Sequence, residues 1–377
     1  MIKKKNIYII GNILGAYRSQ AILFILIDSN KYRINFNNFI FSNKSSKILL
    51  NVLKTVDIFI TTVLRLYFLI RADIVFILPM NNNKFFQILL AKLFRKKIVS
   101  DFYISYYETR VFDRKWTSVN SLMAKIYRMY DLALLKTEKV FFLNQSEANY
   151  YIKTVQKGNR EILVNSAILP LCVDTRPKAR LKYFLNEQRK SINICWWGSF
   201  IPLHGLDKII EAARILKDNK IEFKLHLFGD SKKKGLPFQK IIEEKKLTGQ
   251  VFLYDSYTFS NGRLEKYLIK NCDLALGAFG DSKKAKTVIT NKLIDALSMS
   301  IPVMTTFSLG VQEYFENERD LFLCNNNPAE MADVIIKITS LSDDKINKIV
   351  KNASKKFEAN FSYNVFKAKL LKELENI

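Results

Sequence analysis

AFGDSKKAKTVITNKLIDALSMSIPVMT, residues 278–305, is the stretch that decides the interpretation of this chain. An apolar run ends at Gly280, and a loop with three lysines follows. Thr290 or Asn291 can cap a helix, and the apolar residues after them recur at helical spacing. Pro302 ends the predicted helix before a second apolar run. A cationic loop that enters a helix at the carboxyl end of a strand is typical of an anion-binding site, because lysines and free N–H groups converge there.

Composition indicates a globular protein with a large positive charge. The 377 residues are 49% hydrophobic and 13% aromatic, and this length predicts about two to three domains. Lys and Arg number 60 against 35 Asp and Glu, a formal net charge of +25. Such an excess indicates a polyanionic neighbour, which is nucleic acid, an anionic membrane surface or a phosphorylated substrate. Biased codon usage in a lysine-rich chain would explain part of the same excess without any partner.

The cysteines and the apolar runs predict a cytoplasmic protein. The four cysteines stand singly in apolar surroundings, which favours buried thiols over a disulfide framework or a metal site. Polar residues interrupt the apolar start of the chain before residue 20, so we expect a buried first strand there and not a signal peptide. Charged residues also break the apolar run 56–79 below the length of a membrane span.

The segment 85–97 is amphipathic and basic, and it has two interpretations. We favour a helix that packs on a sheet with its lysines in water. The alternative is a helix that lies on an anionic membrane surface, which would make the protein peripheral on the inner face of the cytoplasmic membrane.

Strand-like and helical patterns alternate along the chain, which predicts parallel sheets. The strand-like runs are 6–10, 73–79, 98–101 and 140–143, and then 192–197, 223–228, 251–254, 274–278, 303–305 and 321–324. The polar stretch 175–190 has no clear period and is predicted to be a linker. We therefore expect an α/β protein with two doubly wound Rossmann-like domains that face each other across a cleft. The predicted limits are 1–177 and 178–360, with a helix in 361–377 that packs back on the first domain.

Two segments of the first half place glycines or polar residues after predicted strands. Gly11 and Gly15 follow the first strand, as in the usual opening of a nucleotide-binding α/β unit. Residues 101–114 follow another strand, at the edge of the sheet where open α/β folds bind ligands.

The two histidines differ in their surroundings. His204 lies just before Gly205 at a predicted helix start, where an imidazole can donate a hydrogen bond to a phosphate oxygen. His226 lies within an apolar strand and is expected in the core or on a strand face. Gly198 and Gly229 end two predicted strands, where they would let a nucleotide approach the backbone.

Three motifs carry a resemblance to a known family. They are Gly-Ser-x-x-Pro-Leu-His-Gly from Gly198, Phe-Gly-Asp from Phe228, and Lys-Ala-x-x-Val-Ile-x-Asn-Lys-x-x-Asp-Ala-Leu from Lys284. Together they resemble a branch of the family-4 retaining glycosyltransferases of the GT-B fold. Residues 101–114 resemble a further segment of that branch, with Glu108 in place of its aspartate. The resemblance covers essentially the whole chain and is most specific between Trp196 and Thr305.

The resemblance implies transfer of a sugar, with retention, from a nucleotide-sugar to a glycan or lipid-linked glycan acceptor in bacterial surface polysaccharide synthesis. It implies no metal and no cofactor. The predicted catalytic residues are His204, Lys292 and Asp101. The predicted donor-binding residues are Gly11, Gly15, Gly198, Ser199, Pro202, Gly205, Gly229, Lys284, Lys286, Val288, Ile289, Asn291 and Asp295. The predicted acceptor-side residues are Ser105, Tyr107, Glu108, Asp113 and Arg114, and surface salt bridges are the alternative role for Glu108 and Asp113.

The chain departs from the family pattern at two places. Ser199 and His204 stand where many members carry Arg and Lys, so Lys284, Lys286 and Lys292 are left to meet the diphosphate charge. The family's pair of glutamates eight residues apart becomes Thr287 and Asp295, and Asp295 is expected to bind ribose hydroxyls.

Two other function classes fit part of the pattern. A nucleotide-sugar epimerase with the same fold would need acid and base groups around the sugar. The chain has only two histidines and lacks the first glutamate of the pair, and both facts argue against an epimerase. A non-catalytic nucleic-acid-binding protein would explain the charge, but no nucleic-acid motif accompanies the basic residues. We therefore expect nucleic acid not to be a partner.

Overall fold

The computed structural model describes residues 4–13, 16–36, 63–156, 164–173, 176–179 and 191–377. Contacts divide the chain into two compact units. Unit 1 comprises Met1–Leu143, Tyr151–Leu169 and Lys367–Ile377, and unit 2 comprises Asn144–Tyr150 and Pro170–Phe366. These units are defined by contacts, and the domain limits inferred from the sequence stay a prediction.

Unit 1 is built on a parallel sheet. Its strands are β1 (Lys5–Ile10), β2 (Tyr32–Phe36), β3 (Ile74–Ile77), β4 (Lys97–Asp101), β5 (Lys139–Phe142) and β6 (Ser166–Ile168). They lie in the order β2-β1-β3-β4-β5-β6. The helices between them are α1 (Tyr17–Asp28), a helical segment at 63–71, α2 (Phe85–Leu93), α3 (Leu122–Leu135) and α4 (Gln145–Gln156). Every residue of β3 is buried, as expected for a parallel strand covered on both faces.

Unit 2 repeats this architecture. Its strands are β7 (Ile192–Gly198), β8 (Phe223–Gly229), β9 (Val251–Tyr254), β10 (Leu274–Leu276), β11 (Val303–Thr306) and β12 (Phe322–Cys324). They lie in the order β12-β11-β10-β7-β8-β9, and all pairs are parallel. The helices are α5 (Leu206–Asp218), α6 (Lys232–Glu244), α7 (Arg263–Asn271), α8 (Asn291–Ser298), α9 (Leu309–Gln312), α10 (Pro328–Thr339) and α11 (Asp343–Asn360). A last helix, α12 (Tyr363–Glu375), begins in unit 2 and ends in unit 1. The predicted α/β class is confirmed.

The sequence pattern missed two strands, β2 and β6, and both lie at the edges of the unit 1 sheet. Only Tyr32 of β2 is buried, and no residue of the three-residue β6 is. Edge strands cover little of the core, so they lack the apolar run that marks the central strands. The ten predicted strands all occur, with ends shifted by one or two residues.

Some expectations cannot be compared with the structure. Gly15 and most of the predicted linker, 175 and 180–190, lie outside the described residues.

The C-terminal residues Lys367–Ile377 belong to unit 1, where Glu373 forms an ion pair with Lys139 at 2.9 Å. No helix among the described residues is long and apolar enough to cross a membrane.

Asp131 on α3 anchors the chain that follows β4. Its carboxylate is buried and accepts hydrogen bonds from the Asn82 amide at 2.7 Å, the Ser105 hydroxyl at 2.5 Å, and the backbone N–H groups of Tyr106 at 3.0 Å and Tyr107 at 2.9 Å. Burial raises the pKa of Asp131 to about 6, and the hydrogen bonds oppose that rise. Because every partner is a donor, the network requires an oxygen at each position.

We predict that Asp131→Asn destabilises the protein by about 3–5 kcal/mol, because an amide turns one of these acceptors into a donor inside a buried network. Chemical unfolding at neutral pH measures the change. Asp28→Asn is the matched control, since Asp28 is exposed in the same unit, and it should shift the unfolding free energy by no more than about 0.5 kcal/mol. Equal stabilities of the two variants would contradict the structural role of Asp131.

Candidate active site

The carboxyl end of β7 brings together three residues that the sequence analysis selected, namely Gly198, His204 and Lys292. Gly198 has φ +143°, and a Cβ there would lie 3.3 Å from both His204 Cε1 and Lys292 Nζ. The strand end, the short 3-10 turn Pro202–His204 and helix α8 therefore meet at one point. A Cβ at position 198 would crowd both side chains, so glycine permits the backbone to approach them this closely.

Lys292 is the least satisfied charge of the site. Its side chain lies on α8, the residue is only 5% exposed, and its Nζ lies 4.3 Å from the centre of the Trp196 ring. Nζ has no hydrogen-bond partner among the residues that the structure describes. Burial lowers the pKa of Lys292 well below its usual value. An ammonium without an acceptor is costly to bury, so an anion bound here would stabilise the charged form.

His204 is held as a neutral ring beside this lysine. Its Nδ1 lies 2.7 Å from the Ser199 carbonyl oxygen, and because a carbonyl can only accept, Nδ1 carries the proton. Burial lowers the pKa of His204 well below its usual value, the charges of Lys292 and Lys284 lower it further, and the bond to Ser199 opposes them. Nε2 of the neutral ring is then an acceptor. Donation from Nε2 to a phosphate oxygen requires that the ring takes up a proton when the anion binds.

Two turns interlock below these side chains. Gly205 has φ +60°, and a Cβ there would overlap the carbonyl of Phe279. A Cβ on Gly280 would lie 2.6 Å from the Pro202 carbonyl oxygen. Backbone hydrogen bonds join the same turns, from Phe279 N–H to the His204 carbonyl and from Gly280 N–H to the Leu203 carbonyl, both at 3.1 Å. Pro202 and Gly205 thus fix the position of His204.

The lysine loop before α8 is partly buried. Lys284 is buried and Lys286 is exposed. The Thr287 hydroxyl, at the position where the resemblance led us to look for a glutamate, donates to the Lys284 carbonyl at 2.9 Å. Val288 is buried in a small apolar cluster with Leu203 and Ala285. It therefore contacts the turn that carries His204.

Helix α8 begins above this loop. Its N-cap residue, Thr290, makes no side-chain capping hydrogen bond, and the first N–H groups of a helix form its positive end. Asn291 is exposed at its first position, and Ile289 is buried just before the cap.

Asp295 faces other protein groups. It is buried on α8, where it accepts hydrogen bonds from Trp197 Nε1 at 3.4 Å and from Arg176 Nη2 at 3.3 Å. Arg176 also pairs with Glu265 at 2.6 Å, and its guanidinium lies 4.0 Å from the centre of the Phe259 ring. Burial raises the pKa of Asp295 to about 6, and Arg176 opposes the rise. The expected ribose role for Asp295 therefore competes with an ion pair that the sequence did not reveal.

Gly229 and Ser199 contact other residues of unit 2. A Cβ on Gly229 would overlap the ring of Phe200, so the aromatic side chain covers the backbone that we expected a nucleotide to approach. The Ser199 hydroxyl bonds with Asp230, which also pairs with Lys234 at 2.7 Å.

The glycine selected in unit 1 contacts its own unit in the same way. Gly11 has φ +134°, and a Cβ there would lie 2.6 Å from the side-chain nitrogen of Asn81. The Asn81 amide oxygen also accepts a hydrogen bond from Asn12 N–H at 3.2 Å.

Asp101, a predicted catalytic residue, is paired within unit 1. It ends β4, is buried, and lies 2.6 Å from Arg18 Nε. Burial raises the pKa of Asp101, and the Arg18 charge opposes the rise. The other carboxylate oxygen has no hydrogen-bond partner among the described residues. Arg18 was not selected from the sequence, because one arginine in an apolar stretch gives no sign of its partner.

The predicted acceptor-side residues lie in a compact turn of unit 1. Residues Glu108–Asp113 form a π-helical turn, and Ser105 bonds with Asp131 and with Glu108 N–H. Glu108 and Asp113 are 0% and 6% exposed. Both carboxylates are buried, which argues against their alternative role in surface salt bridges. Tyr107 is buried, and Arg114 is exposed with its guanidinium 4.9 Å from the centre of the Trp116 ring.

His226 is buried, as expected. It stacks on Phe252 at 5.3 Å between ring centres and contacts the hydroxyl groups of Tyr254 and Tyr267 at 3.2 and 3.0 Å. Burial lowers its pKa to about 4. His226 is thus a neutral member of an aromatic cluster in unit 2.

Comparisons with known proteins agree with this architecture. Residues 191–340 match the family described as glycosyl transferases group 1. The chain is 26% identical over 181 residues to the putative colanic acid biosynthesis glycosyltransferase WcaL of Escherichia coli strain K12. That match covers 45% of this chain and 42% of the relative, so it spans less than half of either protein.

Two solved structures share the fold over nearly the full chain. HepE of Anabaena, solved in complex with UDP and glucose, has a TM-score of 0.69, 12% identity and coverage of 100% of both chains. Sucrose-phosphate synthase of Thermosynechococcus elongatus has a TM-score of 0.70, 11% identity and coverage of 99% of both chains. The two α/β units, each built on a parallel sheet, therefore have the fold of GT-B glycosyltransferases, as the motifs predicted. The family match lies on the unit that carries His204 and Lys292.

Proposed function

We propose that the protein is a retaining glycosyltransferase that moves a sugar from a nucleotide-sugar to a glycan or lipid-linked glycan acceptor. The observation that carries the proposal is the buried Lys292 ammonium, which has no acceptor among the described residues and lies at the carboxyl end of β7. The ends of parallel strands are where open α/β folds bind nucleotides. Two similar proteins support a nucleotide-sugar donor and a polysaccharide product. HepE was solved in complex with UDP and glucose, and WcaL is a putative colanic acid biosynthesis glycosyltransferase.

A diphosphate fits this site by charge. Lys292, Lys284 and the uncapped start of α8 all favour a negative group, and His204 lies beside them. An ammonium about 4 Å from a phosphate charge gains on the order of 4 kcal/mol at an effective dielectric constant of about 20. Lys292 is already buried away from water in the folded protein, so it does not have to be desolvated when the anion binds, and it is preorganised for that contact.

The proposed chemistry uses these cations to stabilise the leaving group. The bond between the anomeric carbon and the diphosphate oxygen breaks, and the bonding electrons stay on the diphosphate. The acceptor hydroxyl forms the new bond on the same face of the sugar, and its proton passes to the departing phosphate oxygen. Lys292 and protonated His204 would offset the charge that develops. No metal or cofactor has a role in this scheme.

The acceptor side and the cellular place are further parts of the proposal. Asp101 is the proposed catalytic group of unit 1, and its proposed acceptor-side residues are Ser105, Tyr107, Glu108, Asp113 and Arg114. Bacterial surface polysaccharide is the proposed product, and the cytoplasm, at the inner face of the membrane, is the proposed location.

A thermal-shift screen against UDP-, GDP-, TDP- and CMP-sugars identifies the donor, and one class should stabilise the protein. The selected donor is then incubated without an acceptor. We expect no new sugar, because a transferase needs its second substrate. An epimerised nucleotide-sugar among the products would overturn the proposal in favour of an epimerase.

Lys292→Met separates a binding role from a structural one. Met keeps the apolar stem and removes the charge, so we expect turnover to fall by about 10²–10³-fold. Thermal stability should be unchanged or increased, because an unpaired buried ammonium is lost. Lys240→Met, at an exposed position of α6, is the control and should retain activity. Near-normal turnover of Lys292→Met would remove this residue from the site.

Donor binding should take up protons. The pKa values of free Lys292 and His204 are held well below their usual values, and a bound diphosphate raises both. Between the free and bound pKa values, binding therefore takes up a proton, and affinity falls as the pH rises through that range. Calorimetry of the selected donor over a range of pH, in buffers with different ionisation enthalpies, measures this uptake. Lys292→Met should reduce it, and uptake equal to that of the unsubstituted protein would contradict the assignment.

A further inference from the structure

Helix α2 of unit 1 carries its apolar stripe on the outside. Phe86, Leu89, Leu90 and Leu93 recur at the spacing of one helical face, and they are 73%, 54%, 41% and 74% exposed. The buried residues of this helix are Ile88 and Ala91. A helix that packs on a sheet normally turns its apolar stripe inward and its polar residues to water. The predicted packing of segment 85–97 on a sheet thus describes only its smaller buried side, because the larger apolar residues face away from the sheet.

The helical segment 63–71 repeats this arrangement. Val63, Leu66, Tyr67 and Ile70 have the same spacing, and all four are more than 40% exposed. The carboxyl ends of this segment and of α2 lie near each other, since Lys96, three residues after α2, donates from Nζ to the Ile70 carbonyl at 2.6 Å.

Helix α3 extends the surface on the other side of α2. Leu122, Met123 and Met129 are exposed. Phe85 of α2 and Tyr130 of α3 pack together with ring centres 6.4 Å apart.

The topology explains why these three elements share one face. The connections β2→β3, β3→β4 and β4→β5 all move in the same direction across the sheet. Parallel strands are joined by right-handed crossovers, so the three connecting helices lie on the same side. The connection β1→β2 moves in the opposite direction, which assigns α1 to the other side. We call the surface formed by 63–71, α2 and α3 the apolar face.

The charges around the apolar face have one sign. Residues 84–97 contain five lysines and arginines and no acidic residue, and residues 63–71 contain two arginines and no acidic residue. Residues 122–136 contain three basic residues and one acid, Asp131, which is buried and bonded to four donors. The described part of this surface therefore offers exposed apolar side chains within a positive rim.

We propose that the apolar face of unit 1 docks on an anionic lipid bilayer. The apolar stripes would enter the acyl boundary, while the exposed Arg95 and Lys125 contact negative headgroups. A second copy of the chain fits this face less well, because two positive rims would repel each other. The docking surface lies within unit 1, so the proposal is independent of the donor site.

Flotation with lipid vesicles tests the proposal. Vesicles that contain phosphatidylglycerol in phosphatidylcholine should bind the protein, and vesicles of phosphatidylcholine alone should bind it at least about 10-fold less. Raising the salt concentration to about 0.5 M should weaken the initial attraction, since the Debye length falls to a few Å. Equal binding to both vesicles, or no binding to either, would overturn the proposal.

Matched variants identify the face. Phe86→Glu with Leu93→Glu should reduce vesicle binding at least about 10-fold, with thermal unfolding and donor binding unchanged, because both residues are exposed. Phe24→Glu with Ile27→Glu is the control on α1, where both residues are also exposed, and it should bind vesicles like the unsubstituted protein. Equal loss in both variants would show that the apolar face is not the docking surface.

Two further measurements separate this proposal from its alternatives. Sedimentation velocity without vesicles should show the same species for the protein and for the Phe86→Glu, Leu93→Glu variant. A dimer that this variant dissociates would replace the bilayer by a second copy. Lys292→Met should keep full vesicle binding, so loss of transferase activity and loss of membrane binding can be told apart.

Discussion

The buried ammonium of Lys292 sets the conditions for the rest of the site. An unpaired cation in a dry environment favours its neutral form unless an anion is near. Three neighbouring features bear on this charge. Gly198 brings the backbone so close that a Cβ would lie 3.3 Å from Nζ, and the Trp196 ring offers its face to Nζ at 4.3 Å. Burial lowers the pKa of His204, and the charges of Lys292 and Lys284 lower it further.

Unit 1 handles its buried charges differently. Asp101 is paired with Arg18, and Asp131 accepts four hydrogen bonds from its own unit. These carboxylates have partners that the fold itself supplies, which is the usual condition for a buried charge that stabilises a structure. Lys292 lacks such a partner among the described residues. Asp131, whose four hydrogen bonds come from its own unit, thus serves the fold, whereas an anion would be needed to complete the surroundings of Lys292.

The sequence predicted the central strands and the convergence of Gly198, His204 and Lys292. Central strands appear as apolar runs, and strand-to-helix turns carry glycine or a cap, so both leave a local pattern. The edge strands β2 and β6 and the ion pairs of Arg18 and Arg176 were missed. Arg18 and Asp101 are 83 residues apart, and Arg176 and Asp295 are 119 apart. No local pattern reveals a contact that only the folded chain creates.

The same limit explains the glycines. Gly11 and Gly229 were taken as openings for a ligand, and in the structure they accommodate Asn81 and Phe200 of the chain itself. A glycine marks the close approach of some group, and only the fold shows which one.

The interlocked turns at Gly205 and Gly280 have a consequence for how this protein can evolve. Each glycine is opposed by a backbone carbonyl of the other turn, and a carbonyl is present whatever the residue. No second substitution in the opposing turn can therefore make room for a side chain at either position. The two glycines therefore cannot be replaced one after the other. Lys292 and Ser199 interact through their side chains, so a second substitution nearby can compensate for their replacement. Substitutions in this part of unit 2 should therefore accumulate at the surrounding side chains, while the two glycines are retained.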